Sequence, residues 1–206
     1  MAEGTIKFTV GEHRHTPPLE AAEYRRVEEY RERLWKLDLI GFSEEAGYGY
    51  GNISARREAG GFVISGTQTG HKPVLAGSDY VVVDQWDFGA NTVHCFGPCL
   101  PSSEALSHAA FYERPEVNAV IHVHSRPLWL ALMRADVLST EEDIPYGSEQ
   151  LYRRLTELVV ASSPPPPVPL ILVMRGHEEG VFSAGRTFEE AYRIIVEHFE
   201  RAKEAT

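Results

Sequence analysis

Three histidines lie where two short apolar segments can bring them together, and the chemistry they suggest is that of a metal centre. In Val120-Ile121-His122-Val123-His124 the polar residues alternate with aliphatic ones. Alternate side chains of an extended strand leave the sheet on the same side, so His122 and His124 emerge together while Ile121 and Val123 face the other way. Two imidazoles buried side by side are costly unless something satisfies both rings. A second apolar segment, Leu170 to Met174, runs into Arg175-Gly176-His177, a turn able to present a third imidazole. Three neutral nitrogens that leave a fourth position open suit a catalytic zinc better than a closed structural site.

Further candidates cluster in small-residue turns. Pro101-Ser102-Ser103-Glu104 places two hydroxyls and a carboxylate at an expected helix start, where unpaired amides attract anions, although the same residues also make an ordinary capped helix. Gly49-Tyr50-Gly51-Asn52-Ile53-Ser54 and Ser65-Gly66-Thr67-Gln68-Thr69-Gly70 let backbone amides line an anion-binding concavity. The first contains a Gly-x-Gly, but it lacks a preceding parallel strand, a third spaced glycine and a ribose-binding acid, which excludes dinucleotide binding. His108 follows Glu104 at i and i+4 on one helix face, where it supports the structure or orients a ligand. His13, His15, His71, His94 and His198 suggest no role, and Cys95 and Cys99 read as reduced, structural thiols.

The elements that must position these residues follow from periodicity and punctuation. A helix is expected from Leu19 to Ile40, introduced by Pro17-Pro18 and stopped by Gly41, with Val27, Tyr30, Leu34 and Leu37 as its core stripe. Residues 47–52 read as a glycine-rich turn, followed by short strands near residues 53–56, 62–65, 80–83 and 92–96, whose turns favour antiparallel pairing. A helix from Ser102 or Ser103 to Glu113 precedes the His-x-His strand. Helices follow over residues 127–133 and 148–161, then an extended 164–167 linker, the Leu170–Met174 strand, and a last helix capped by Thr187 with Glu190. Residues 1–16 are expected to form a loose N-terminal arm and residues 17–206 a single domain. The fold class is α/β, a three-layer α/β/α sandwich with a mainly antiparallel central sheet.

Composition narrows the partners. A net charge of −10, with no basic patch, disfavours nucleic acid and anionic membrane surfaces. The first residues lack a signal-peptide pattern, and no run of eighteen apolar residues occurs, so a cytoplasmic location without membrane partners is expected.

The set Gly51-Asn52, Thr69-Gly70, Ser102-Ser103-Glu104, His122-Val123-His124 and Gly176-His177 resembles, in order and spacing, the signature of the class II aldolase and adducin-head family. The resemblance implies a homotetramer in which His122, His124 and His177 ligate a divalent ion, most commonly Zn2+, with Mn2+, Co2+ or Fe2+ as other choices. It further implies that Gly51, Asn52, Thr69, Gly70, Ser102 and Ser103 grip a substrate phosphate and that Glu104 is the acid/base. A family tyrosine assists proton transfer, and Tyr146 is the candidate for it here.

Glutamate rather than aspartate at position 104 favours aldol cleavage over epimerisation in this family. The expected activity is a metal-dependent aldehyde-lyase, L-fuculose-phosphate aldolase-like, that cleaves a small hydroxy-ketone or sugar phosphate by retro-aldol chemistry through a metal-stabilised enediolate. The alternatives are a dehydratase of the methylthioribulose-1-phosphate type and a non-catalytic, adducin-head-like binding module. Two departures touch the pocket: Glu178-Glu179 intervene between His177 and Gly180, and the region from Arg126 to Tyr146 is short.

Overall fold

Strand alternation divides the apolar residues of this chain between two cores, one on each side of a nine-stranded sheet. The computed structural model describes residues 5–204. In chain order the elements are β1 (Thr9–Arg14), α1 (Ala21–Lys36), β2 (Gly41–Ser43), β3 (Tyr48–Tyr50), β4 (Asn52–Arg56), β5 (Phe62–Ser65), β6 (Tyr80–Asp87) and β7 (Thr92–Phe96). They continue with α2 (Ala105–Tyr112), β8 (Ala119–His124), α3 (Arg126–Met133), β9 (Leu138–Ser139), α4 (Glu149–Thr156), β10 (Leu170–Val173), β11 (Gly180–Gly185) and α5 (Phe188–Glu204).

Phe62, Ile64, Val81, Val83 and Val120 pack on one face with Leu106 and Phe111 of α2 and Leu151 and Leu155 of α4. Their sequence neighbours Val63, Val82, Ile121 and Val123 pack on the other face with Val27 and Leu34 of α1, Leu128 of α3 and Ile195 of α5. His122 and His124 share the parity of Val120, so β8 directs them to the α2 face.

The strand order is β1-β7-β6-β5-β4-β8-β11-β10-β9. Pairings from β7 through β10 are antiparallel, but β1 lies parallel to β7 and β9 parallel to β10. The sheet is therefore mixed, which corrects the expectation of a mainly antiparallel one. Short turns force antiparallel pairing, whereas both edge strands reach their neighbours through long stretches of chain. The link from β9 to β10 passes through α4, long enough for a parallel crossover. β1 lies in the segment expected as an arm, and the preceding Phe8 is buried in the α2-side core. Residues 1–4 of that arm, and 205–206 of the expected domain, lie outside the described residues.

Three local boundaries differ from the expected ones for identifiable reasons. Helix α1 ends at Lys36 because Asp38 takes φ of +58°, a left-handed cap conformation, and this releases Leu39 and Ile40 into the core. The glycine-rich turn is partly strand, since Tyr48–Tyr50 pairs with Gly41–Ser43 in a small separate hairpin. Helix α2 begins at Ala105 with Glu104, not a serine, at the N-cap position. Among the described residues no helix is long and apolar enough to cross a membrane.

Candidate functional site

Strand β8 runs through the middle of the sheet between β4 and β11, and this register assembles the site. His122 stands opposite Asn52 of β4 and Phe182 of β11, and His124 stands opposite Gly180. The His122 ring stacks on Phe182 with centroids 4.4 Å apart. Its Nδ1–H donates to the carbonyl of Val181 at 3.2 Å, leaving Nε2 with its lone pair. That nitrogen faces Nε2 of His124 at 3.1 Å, a contact that needs either a proton or a cation between the two atoms.

The third imidazole comes from the turn between β10 and β11. Met174 N–H donates to the Gly180 carbonyl at 3.0 Å and Gly180 N–H to the His177 carbonyl at 3.0 Å, which closes the turn. One donor nitrogen from each of His122, His124 and His177 lies within 4.8 Å of the others, and all three residues are buried. Bonds of ~2.05 Å in a tetrahedral zinc shell set nitrogen-to-nitrogen edges of about 3.4 Å. The His122–His124 pair is close to that edge, and small ring rotations would draw in the outermost nitrogen. Burial, and then the adjacent rings of His124 and His177, hold the pKa of His122 well below that of ordinary imidazole, which keeps it neutral and available as a ligand. The donor set thus fits a divalent ion of the zinc type.

Two adjoining cavities are lined by the residues that the family resemblance assigns to the site. Glu104, Tyr146 and the three histidines line one, Thr69, Gly70 and Ser102 line the other, and Gly51, Asn52 and Ser103 border both. Glu104 is buried at the start of α2 with φ −97° and ψ 11°, a sparsely populated region in which many active-site residues are found. Ser107, one turn later, donates its hydroxyl to the Glu104 carboxylate. An isolated bridge from Gly66 to Pro101, together with Ser102 N–H donating to the Ser65 carbonyl at 3.1 Å, holds the two hydroxyl-rich turns side by side.

Helix α1 braces the Thr69-Gly70 turn from behind. Trp35 Nε1 donates to the Gly70 carbonyl at 3.3 Å, and the buried Arg31 guanidinium donates to the carbonyls of Lys72 and Pro73 at 2.5 and 2.8 Å. Only glycine fits at position 70, because a Cβ there would stand 2.0 Å from the Gly41 carbonyl oxygen. Gly51, at φ +71°, lets the chain turn into β4 and present Asn52. The Thr69 hydroxyl donates to the Gly66 carbonyl at 2.8 Å and locks the turn on itself.

Tyr146 packs on His177 with ring centroids 4.8 Å apart, and its hydroxyl donates to the Thr5 carbonyl at 3.0 Å. The Lys7 ammonium lies 3.4 Å from the centre of that ring and donates to the Tyr146 carbonyl at 2.7 Å. The N-terminal segment therefore reaches the site, a contact for which the sequence carries no visible signal. Tyr50 was also missed as an individual residue, although it lies within the glycine turn. It borders the cavity of the three histidines, its ring is 5.8 Å from that of His124, and its hydroxyl donates to Asp38 at 2.6 Å. Ser107 could have been found by its spacing of three from Glu104.

The chain matches the class II aldolase and adducin N-terminal domain family over residues 41–206, and it belongs to that family. Among solved structures it is similar to the L-fuculose-1-phosphate aldolase of Thermus thermophilus, at 21% identity and TM-score 0.64, covering 91% of this chain and 94% of that one. It is likewise similar to YgbL of Escherichia coli, at 18% identity and TM-score 0.66, covering 89% of each chain. A sugar-phosphate aldolase from Thermotoga maritima shares 16% identity at TM-score 0.65, covering 88% of this chain and 92% of that one. At such identities the likeness establishes the fold alone. No curated protein matches the chain.

Proposed function

We propose that this protein is a metal-dependent aldehyde-lyase that cleaves a small hydroxy-ketone or sugar phosphate by retro-aldol chemistry. The observation carrying this reading is the convergence of three buried imidazole nitrogens and one buried carboxylate on a single cavity next to a hydroxyl- and amide-lined turn. His122, His124 and His177 would hold the divalent ion, and zinc suits three nitrogen donors with an open position, while Mn2+, Co2+ and Fe2+ are the other ions to test. When bound, the ion supplies Lewis acidity toward the carbonyl and neighbouring hydroxyl of a ketose.

The protein's own groups do the rest. The Glu104 carboxylate, oriented by Ser107, takes the hydroxyl proton whose loss opens the carbon–carbon bond and returns a proton to the carbon fragment left behind. Asn52, the Thr69-Gly70 turn and Ser102-Ser103 bind the anionic end of the substrate with polar donors, since no cationic side chain borders that small cavity among the described residues. Tyr146 walls the site against His177. Its hydroxyl proton is held by Thr5, so any part in proton transfer begins with release of that bond. A homotetramer in the cytoplasm is the setting expected for this activity.

The test combines metal analysis with product analysis. Protein purified without chelator is expected to carry a divalent ion and to release two carbon fragments from a suitable ketose phosphate. Glu104→Gln should keep the ion and lose turnover by about 100-fold or more. A single dehydrated product would shift the assignment to a dehydratase. If the protein holds almost no metal, and added zinc, manganese or cobalt elicits no activity, a non-catalytic binding module replaces the lyase.

A further inference from the structure

Behind Asn52 runs a line of buried polar side chains that the catalytic reading does not use. His108 on α2 is fully buried, with Nε2 2.5 Å from Asn52 Oδ1 and Nδ1 2.6 Å from the Ser54 hydroxyl. The Ser54 hydroxyl in turn lies 2.7 Å from that of Tyr112. Among the described residues the Ser54 hydroxyl is the one hydrogen-bond partner of the buried Tyr112 hydroxyl, which fixes the direction of the whole line. Tyr112 must pass its own proton to Ser54, Ser54 must donate to His108 Nδ1, and His108 must carry its proton on Nε2 and donate to Asn52. The opposite direction would leave the Tyr112 proton without an acceptor in the core, which buried hydroxyls rarely tolerate.

We propose that His108 is a positioning residue: as the neutral Nε2–H tautomer it holds the Asn52 carbonyl, and so turns the Asn52 amide NH2 toward the anion-binding cavity. An asparagine left to rotate would offer its oxygen or its nitrogen to that cavity with similar ease. With the oxygen engaged, Asn52 presents only donors, the polarity an anionic oxygen requires. Burial pulls the pKa of His108 down to about 3, so the ring stays neutral over the range in which the line must keep its direction. This proposal rests on the reading of Asn52 as part of the anion grip, and it adds the residue that decides which end of the amide does the gripping.

The experiment uses the full-length, zinc-loaded protein and inorganic phosphate as the probe. Ring 15N NMR of His108 should show a neutral imidazole protonated on Nε2. Asn52→Ala and His108→Leu should each weaken phosphate binding by about tenfold, as loss of a hydrogen bond to a charged group does, and the double variant should do no worse than either alone. Protonation on Nδ1 overturns the proposal, as does wild-type phosphate affinity in His108→Leu when Asn52→Ala has lost it. Undiminished binding in Asn52→Ala would instead sink the anion-grip reading. The wild-type NMR measurement decides the tautomer even if His108→Leu fails to fold.

Discussion

Two histidines on the same side of the sheet, His122 and His108, are buried to the same degree and have opposite hydrogen-bond economies. Both ring nitrogens of His108 meet protein partners, and the line from Tyr112 to Asn52 is complete in itself. His122 has one nitrogen satisfied by Val181 and the other directed at a second imidazole. The difference teaches how to separate a structural histidine from a metal ligand when burial alone cannot. A closed set of partners builds a scaffold, while nitrogens converging on one another leave room for an ion.

The comparison breaks most visibly at the metal end. His122→Ala is expected to lower zinc content from about one ion per chain to less than about a tenth of that, because two imidazoles make a weak site. At a free zinc concentration of 100 times Kd, the ion contributes about 2.7 kcal/mol to the native state, or roughly 5–10 °C in Tm for a chain of this size. Wild-type protein should lose that increment on chelation and His122→Ala should show none, as read by elemental analysis and calorimetry. Equal zinc content in the two proteins would place the ion elsewhere.

A smaller effect sharpens the scaffold end through pH. His108 has a native pKa of about 3 against about 6.5 when unfolded, so between these values the unfolded chain binds a proton that the native one refuses. The stability associated with neutral His108 is therefore complete above about pH 6.5 and declines as pH falls toward 3, by roughly 1.4 kcal/mol per pH unit at most. Urea unfolding of the metal-free protein at a series of pH values should show this slope, and His108→Leu should flatten it by about one proton. An unchanged slope would mean that other groups set the acid sensitivity.

The smallest expected effect concerns the turn that carries His177. Glu179 sits at φ +67°, a left-handed conformation that costs a non-glycine residue roughly 1–2 kcal/mol, partly offset in glycine by its greater unfolded-state entropy. Its carbonyl accepts from Ser125 N–H at 3.1 Å, a bond that glycine would retain. Glu179→Gly is expected to raise stability by up to about 1 kcal/mol in denaturant unfolding without altering zinc content. A loss of stability would show that the Glu179 side chain contributes more than the strain it causes.

What could be read in advance depended on how local the cause was. The pairing of His122 with His124 follows from strand alternation over five residues, and the capping by Thr187 follows from a four-residue pattern, with Glu190 N–H donating to the Thr187 hydroxyl at 3.2 Å. The membership of Gly51, Asn52, Thr69, Gly70, Ser102 and Ser103 in one site was legible only through the family resemblance, because nothing in their separate turns states that they adjoin. The parallel edge strands were not legible, since direction across a long connection is set by where the chain returns to the sheet.

By itself the sequence determined most of the segments that become strands and helices and which faces of those elements are apolar, and it singled out the polar residues that gather at the two cavities. Only the tertiary structure decided that Asn52 stands opposite His122, that α1 braces the Gly70 turn, and that Thr5 and Lys7 hold Tyr146. Side-chain type and local periodicity are properties of a few adjacent residues. Register and convergence arise from packing two cores against one sheet, and that balance involves the whole chain at once.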